Sequence, residues 1–257
     1  AMGVTVVPKL VSKLSTKSRY ERIALERILK RFGAASVEPL LAVLKHDHGL
    51  VLDRACYILG EIGDTSATLG LLAMTTHERW QTREQSVSAL GKIGDHRADS
   101  PVVSALADMI ALVRKSAAVS CGQLKIQESI RQLVYLLGDT YYGARMPAAA
   151  SLAKLDSIAV VQAIRDSMTS ENPLIGNLGC EVLGHIGSSA ALDLLTEQAY
   201  SSNPQRRAHA ALALIVADST DSRNFRMFYL AFEKDLPTRL KVESAISAVK
   251  DGRAESQ

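Results

Sequence analysis

The stretch ILGEIGD at residues 58–64 returns as ALGKIGD at residues 89–95, 31 positions later. Further residues recur at this spacing or at twice it: Arg83, Arg114, Arg145, Arg207, Asn172-Pro173 and Asn203-Pro204. Chance does not produce so many coincident positions. The chain is therefore predicted to be built from repeats of this length, each a single supersecondary unit.

Each repeat contains two stretches with helical periodicity. The first, called A, is exemplified by Gln81 to Ile93 and ends at glycine or aspartate; Gly63 and Gly94 fit the C′ position of a helix. The second, called B, is exemplified by Gln127 to Leu137, in which Ile130, Leu133 and Leu137 form one apolar stripe. Each repeat is therefore predicted to be a helix pair.

A pair of short helices cannot bury its apolar stripes alone, whereas stacked pairs can. We therefore predict an all-α fold, an α-solenoid with a right-handed superhelix of about seven to eight helix pairs, over residues 4–250. Residues 1–3 are interpreted as an expression scar and residues 251–257 as a flexible tail. The predicted solenoid begins and ends on half-repeats, which either cap it or mark it as a piece of a longer protein.

Composition and charge exclude several classes of protein. Apolar residues make up 47% of the chain and charged residues 22%, which is ordinary for a folded protein and excludes a disordered one. No apolar run reaches the length of a membrane span. Cys56, Cys121 and Cys180 are isolated within apolar helical stretches, so we expect buried thiols in a reducing, cytoplasmic setting.

The motif at residues 89–95 and the stretch VRKSAA at residues 113–118 resemble HEAT repeats, and more narrowly the short type first named for phycobilisome lyases. The resemblance covers residues 4–250. It specifies the fold strongly and the function poorly. Proteins of this kind include protein scaffolds, bilin lyases, deoxyhypusine hydroxylases and arrays fused to membrane or signalling domains.

The candidates for a metal are loop histidines, at His46-Asp47-His48 and His77-Glu78. The hydroxylase resemblance implies His-Glu pairs within several A helices, just after the arginine position. Here those places hold Glu84-Gln85, Lys115-Ser116 and Met146-Pro147. We therefore expect no metal and no cofactor. We also expect no catalytic residues, because the cysteines lie in core positions two repeats apart and no nucleophile motif is present.

The recurring arginines have two interpretations. Ion pairs between repeats, with Asp108 and Asp139 as partners, or bonds to helix-end carbonyls would make them structural. A ladder that grips phosphates would need all of them to point outward on one face. The arginines are Arg22, Arg83, Arg114, Arg145 and Arg207.

The chain is most basic near its start. Residues 4–31 carry a local net charge of +6, against +3 for the whole chain. One interpretation is a solvated first helix. The other is a surface that faces an anionic partner, such as an acidic protein, a phosphate or lipid headgroups.

The exposed side of the B helices is the predicted binding surface, because B helices line the concave side of such solenoids. In the N-terminal half its residues are small; in the C-terminal half they are polar and of mixed charge, with two aromatic anchors. The candidate binding residues are Arg131, Tyr135, Gln162, Asp166, Asp193, Glu197, Asn224 and Phe228. An ordinary solvated face is the alternative.

Mixed charge with a few aromatic residues favours a protein or peptide partner. The predicted function is a non-catalytic scaffold for protein–protein interaction. One alternative, implied by the resemblance alone, is a bilin lyase-like enzyme or chaperone. The other is a nucleic-acid binder, which the carboxylates on this surface disfavour because they repel phosphates.

Overall fold

The structure is a computed structural model that describes residues 6–46, 49–217 and 233–254. Within these ranges every regular element is an α-helix or a short 3₁₀ turn. The predicted all-α architecture of repeated helix pairs is confirmed. The described residues fall into two compact units, of which the first holds residues up to 129 together with 141–147, and the second holds residues 130–140 and those from 148 onward.

The helices begin and end where the local sequence predicts. Asn172 and Asn203 are N-caps, and their side-chain oxygens accept hydrogen bonds from the N–H groups of Leu174 at 3.1 Å and Gln205 at 2.9 Å. A proline follows each of them at the first helical position, where no N–H is needed. These caps satisfy donors that the first turn of a helix leaves unpaired.

Left-handed residues end the A helices. Gly63 and Gly94 follow two of them with φ of 75° and 79°. One repeat later the same position is Lys125, which adopts φ of 54° despite its side chain. Unit 1 therefore adopts this conformation here even where the sequence does not supply glycine, whereas Asp156, one repeat further on, has φ of −57°.

Unit 1 contains a row of A helices, α2, α4, α6 and α8, that pack side by side, and a second row formed by α1, α3 and α5. Helix α7 packs on α6 and α8. The core lies between the rows. The bounds are α1 Val7–Val11, α2 Arg19–Phe32, α3 Val37–His46, α4 Leu50–Ile62, α5 Thr68–Met74, α6 Trp80–Ile93, α7 Asp99–Ser104 and α8 Ala111–Leu124.

Unit 2 repeats the arrangement, with A helices α12, α14 and α15 in one row and B helices α9, α11 and α13 in the other. Helix α10 contains Pro147, and the division between the units follows that residue. The bounds are α9 Ile130–Leu136, α10 Tyr142–Leu152, α11 Ser157–Ser167, α12 Pro173–Ile186, α13 Ser189–Gln198, α14 Pro204–Val216 and α15 Leu236–Ala254.

The last helix, α15, continues through residues 251–254. A helix already formed extends at little further cost, because each added residue gains one hydrogen bond. The predicted flexibility of residues 251–257 stays a prediction.

Small residues allow the A helices to approach closely. A Cβ added to Gly60 on α4 would lie 2.6 Å from the Cα atom of Ala89 on α6. In unit 2 a Cβ on Gly184 would lie 3.0 Å from the Cβ atom of Ala213 on the next A helix. Real Cβ atoms essentially never come as close as 2.6 Å to another heavy atom, so a side chain at position 60 would push α4 and α6 apart. The contact at position 184 is tighter than most real Cβ contacts, so its neighbour would have to give way slightly.

Candidate binding face

Helices α9, α11 and α13 lie next to one another in unit 2 and bury equivalent residues. The equivalent buried side chains are Ile130 and Val161 in one series and Leu133, Ile164 and Leu195 in the other, and Leu194 of α13 is buried beside them. Because the helix period places residues three and four apart on the same side, the residues between these apolar positions point away from the core. The three helices therefore present one continuous row of outward side chains.

The structure places six of the eight predicted binding residues on this row. All six are exposed: Arg131, Tyr135, Gln162, Asp166, Asp193 and Glu197. We refer to these six, together with Arg165, as the α9–α11–α13 face. Asn224 and Phe228, the other two predicted residues, lie outside the residues that the structure describes.

The face keeps the repeat spacing from one helix to the next. Arg131, Gln162 and Asp193 occupy equivalent positions 31 residues apart, so the chemistry changes from basic to neutral to acidic across the helices. Tyr135 begins a second equivalent series and has 75% of its surface exposed. A large aromatic side chain so exposed is unusual on a solvated helix and is a common anchor at interfaces.

Polar contacts within the face join its side chains. The Gln162 side-chain amide donates to the carboxylate of Asp166 at 2.7 Å along α11. Arg165 donates to the carboxylate of Glu197 at 3.0 Å and so links α11 to α13. Asp193 makes no such contact within the described residues, and its side chain is exposed.

Sequence reasoning missed two residues of this surface. Arg165 was not predicted because the equivalent residue one repeat earlier is Val134, which is apolar and buried. This repeat position therefore does not look exposed from the sequence. Ile158, at the start of α11, has 77% of its surface exposed. An apolar residue in a helix is normally expected to be buried. The one sequence signal for the exposure of Ile158 is that it lies before the apolar stripe formed by Val161 and Ile164.

The corresponding surface of unit 1 differs in chemistry, as the sequence predicted. A groove of about 350 Å³ lies between α3 and α5, with Leu41, Leu44, Leu69 and Met74 along it and Glu38 among its other lining residues. Ala42 and Ala73 are exposed and small. This part of the B row is therefore largely apolar, but it is grooved and carries large aliphatic side chains, where the sequence predicted small residues.

The recurring arginines are structural at three positions. Arg83 donates to the carbonyls of His77 and Glu78, and Arg114 donates to those of Asp108 and Met109. Arg207 makes the same two bonds, to the residues six and five before it. Each arginine thus binds the loop that precedes its own A helix.

Arg83 and Arg207 also pair with a carboxylate of the following repeat. Arg83 donates to both oxygens of Asp108 at 2.7 and 2.9 Å, and Arg207 does the same to Glu233 at 2.8 Å. Burial is the largest single influence on Asp108 and would raise its pKa. The hydrogen bonds from Arg83 and from the Ile110 N–H, together with the nearby positive charge of Arg83 and Arg114, outweigh burial, so that pKa is lowered. The structural interpretation is confirmed for Arg83, Arg114 and Arg207.

Arg22 and Arg145 depart from this pattern. Arg22 pairs with Glu26 in its own helix at 3.6 Å. Arg145 lies over the ring of Tyr142 at 5.4 Å. Position in the repeat therefore does not by itself determine what an arginine contacts.

Buried thiols and loop histidines have no arrangement suited to catalysis among the described residues. Cys56, Cys121 and Cys180 are fully buried, and burial raises the pKa of each thiol to about 12. The Nδ1 atom of His77 accepts a hydrogen bond from the N–H group of Arg79 at 3.0 Å. In the part of the chain that the structure describes, no group of three or more His, Cys, Asp or Glu side chains is placed to hold a metal. Asp47 and His48, the other loop candidates, lie outside that part.

Stacked helix pairs, with a core between the A and B helices and an exposed side on the B helices, are the architecture of a helical-repeat protein. The family model described as HEAT repeats matches residues 37–121 and 130–215. These matches cover more than half of the chain, which therefore belongs to the HEAT-repeat family. No curated protein matches the sequence.

Solved structures give further likenesses. The X-ray structure of YibA from Escherichia coli is 16% identical, the match covers 96% of this chain and 95% of that one, and the TM-score is 0.57. The complex of CpcE and CpcF of phycocyanin lyase from Nostoc is 15% identical over 94% of each chain, with a TM-score of 0.49. Human deoxyhypusine hydroxylase in complex with glycerol is 17% identical over 96% of each chain, with a TM-score of 0.44. The likeness to YibA shows the fold alone, and the other two are too distant in structure to add to it.

Among the described residues, no helix combines the length and the apolar character needed to cross a bilayer.

Proposed function

We propose that this protein is a non-catalytic HEAT-repeat scaffold that binds a protein or peptide on its α9–α11–α13 face. One observation carries the proposal. Six side chains at equivalent repeat positions are all exposed on three adjacent helices, while the residues between them form the core. A repeat fold thus presents an ordered row of polar side chains on a rigid base, which suits recognition of a chain laid across the helices.

The chemistry of the face favours a protein or peptide over other partners. Tyr135 and Arg131 are one turn apart on α9 and belong to the residue types that dominate binding energy at interfaces. Asp166, Asp193 and Glu197 add carboxylates that select basic or hydrogen-bonding groups and repel nucleic-acid phosphates. We therefore expect a partner with an apolar anchor beside Tyr135 and polar groups toward α13.

The absence of catalysis belongs to the same proposal. A thiol with a pKa of about 12 is protonated at neutral pH and is a poor nucleophile. Alkylation of the native protein at pH 7.5 should leave all three cysteines unmodified. The bilin lyase-like alternative stays a prediction; the appearance of a new visible absorbance band on mixing with bilin would favour it over the scaffold.

A photo-crosslinking residue at position 135 tests the binding face directly. Expressed at natural levels, the protein should form a small number of defined adducts through position 135, and Arg131→Glu in the same chain should remove them. The control places the same residue at Met109, which is 85% exposed but lies in unit 1. Identical adducts at both positions, or none at position 135, would contradict the proposal.

Affinity measurements on the identified partner provide the second step. Arg131→Glu with Tyr135→Ala should weaken binding by about 10- to 100-fold, since two interface anchors are lost. The matched control is Lys154→Glu with Leu240→Ala, which makes the same charge change at exposed residues outside α9, α11 and α13. An equal loss in both variants would show that general electrostatics, and not this face, determines binding.

A further inference from the structure

Helix α2 in unit 1 has a long exposed side with an unusual composition. Its buried residues are Leu25 and Leu29. The opposite side carries six residues at spacings of one, three and four, which places them on one stripe of the helix. We call this stripe the α2 face: Tyr20, Ile23, Ala24, Arg27, Ile28 and Arg31, all exposed.

The α2 face combines apolar and basic side chains. Tyr20 has 87% of its surface exposed, and Ile23 and Ile28 have about two-fifths each. Arg27 and Arg31 lie one turn apart along the middle of the stripe, and no hydrogen bond or ion pair to either is seen within the described residues. Large apolar residues that are exposed together and flanked by charged groups are typical of an interaction surface.

The acidic residues of α2 do not balance this charge. Glu21 accepts a hydrogen bond from the hydroxyl of Thr16 at 2.5 Å, and Glu26 pairs with Arg22. Lys30, at the edge of the helix, is engaged by Glu61 at 2.5 Å on α4. The α2 face itself contains arginine as its only ionisable side chain apart from the Tyr20 phenol, and exposed Lys13 and Lys17 lie just before the helix.

The packing of unit 1 indicates which shape of partner fits. Helices α2, α4, α6 and α8 form a row in which each A helix packs along the next. The side of α2 that faces away from its buried leucines is exposed, so a further helix could lie along it. On a helix, two carboxylates spaced four residues apart are about as far apart as Arg27 and Arg31 are here.

We propose that the α2 face binds an acidic amphipathic helix of a partner protein. Two carboxylates of that helix pair with Arg27 and Arg31, while its apolar residues cover Tyr20, Ile23 and Ile28. A lipid surface fits less well, because helices that lie in a bilayer interface present a wide apolar side with basic residues at its margins. Here the arginines occupy the middle of the stripe. This surface is separate from the α9–α11–α13 face and does not depend on the scaffold proposal.

The test uses a synthetic helix as the probe. A peptide of about 20 residues, long enough to be helical, carries leucines on one stripe and a pair of glutamates four residues apart between them. The matched control peptide has the same sequence with glutamine in place of both glutamates. Fluorescence anisotropy at low salt should show the glutamate peptide binding about tenfold more tightly than the glutamine peptide, since two charge pairs are gained.

Variants assign the preference to the arginines. Arg27→Glu with Arg31→Glu should abolish the preference for the glutamate peptide. The control variant, Lys45→Glu with Lys115→Glu, makes the same change in net charge at exposed residues of the same unit. This variant should keep the preference for the glutamate peptide. Circular dichroism melts of both variants should match the wild type, because none of the four side chains is buried. The Arg131→Glu, Tyr135→Ala variant should bind the peptide like the wild type.

Three results would overturn the proposal. One is equal affinity for the two peptides. Another is binding to vesicles containing anionic phosphatidylserine, lost in the Arg27→Glu, Arg31→Glu variant, without binding to the glutamate peptide, which would assign the face to a membrane. The third is self-association in sedimentation that the same variant abolishes while the peptide does not compete, which would assign the face to a second copy of this chain.

Discussion

Lys125 has a backbone conformation that lysine rarely adopts. It follows α8 with φ of 54°, at the position that Gly63 and Gly94 occupy in the two preceding repeats. A side chain in this left-handed region costs about 1 kcal/mol relative to glycine. The packing of unit 1 therefore holds the chain at this turn against a local preference.

Lys125→Gly should raise the free energy of unfolding by about 1 kcal/mol, because glycine adopts this conformation without the steric cost. Urea titration followed by circular dichroism measures the change. The control, Lys115→Gly in the interior of α8, should lower the same quantity by about 1 kcal/mol, since glycine disfavours a helix. A loss of stability in both variants would show that Lys125 is not strained.

Gly60→Ala should lower the free energy of unfolding by about 1–3 kcal/mol, because the new methyl group would overlap the Ala89 backbone. Alanine is the better helix former by about 1 kcal/mol, so intrinsic propensity alone gives the opposite sign. Ser88→Ala, half-buried on α6, is the control and should change stability by about 0.5 kcal/mol or less. A more stable Gly60→Ala protein would rule out the close contact between α4 and α6.

At the scale of elements, three A helices are joined by a ladder of charges. Glu61 on α4 accepts from Lys30 on α2 at 2.5 Å and from Lys92 on α6 at 2.8 Å. The hydrogen bond from Lys30, followed by that from Lys92, lowers the pKa of Glu61. The same contact raises the pKa of Lys30. The ladder thus couples neighbouring repeats through side chains as well as through the core.

The stabilisation from Glu61 should depend on pH. Because its pKa is lower in the folded chain than the ordinary 4.5, its contribution is complete above pH 4.5 and disappears as the pH falls through the folded value. Glu61→Gln should therefore be less stable than the wild type by about 1 kcal/mol at pH 7 and equally stable near about pH 2. Urea titrations of both proteins at the two pH values measure this, and a difference that persists in acid would contradict the role of the carboxylate.

Much of the element structure could be predicted from the sequence, because the 31-residue step carries both the helix ends and the apolar stripes. The caps at Asn172 and Asn203 and the buried cysteines followed from residue type alone. What a given arginine contacts could not be predicted, since it depends on side-chain reach: Arg83 binds two carbonyls and Asp108, whereas Arg145 lies over a ring. The exposure of Ile158 could not be predicted for a different reason, because an apolar residue within a helix is normally expected in the core.

At the scale of the whole molecule, the chain forms two compact units although its repeat spacing continues through both. Repeat position is a local property and does not reveal where cooperative packing is interrupted. Pro147 gave a sequence signal, because proline removes a helical hydrogen bond and disturbs the preceding turn. The repeat spacing nevertheless continues through Pro147, so the spacing alone predicts no boundary there.

The buried cysteines can report on how the units open. Cys56 and Cys121 lie in unit 1 and Cys180 in unit 2. If each unit opens cooperatively, Cys56 and Cys121 should be labelled by maleimide at one common rate, and Cys180 should follow its own. Pulse labelling with mass spectrometry measures the three rates. Different rates for Cys56 and Cys121 would show opening repeat by repeat within unit 1.

The arginine contacts bear on how such a chain can grow. Arg83, Arg114 and Arg207 each donate to carbonyls five and six residues earlier. Each of these arginine–loop contacts is therefore contained within one 31-residue repeat. A gene segment copied at any point in this cycle would bring donor and acceptors along together. Tandem duplication of one repeat would then lengthen the protein while every loop keeps its hydrogen bonds to an arginine. An insertion of any other size between a loop and its arginine would break those hydrogen bonds.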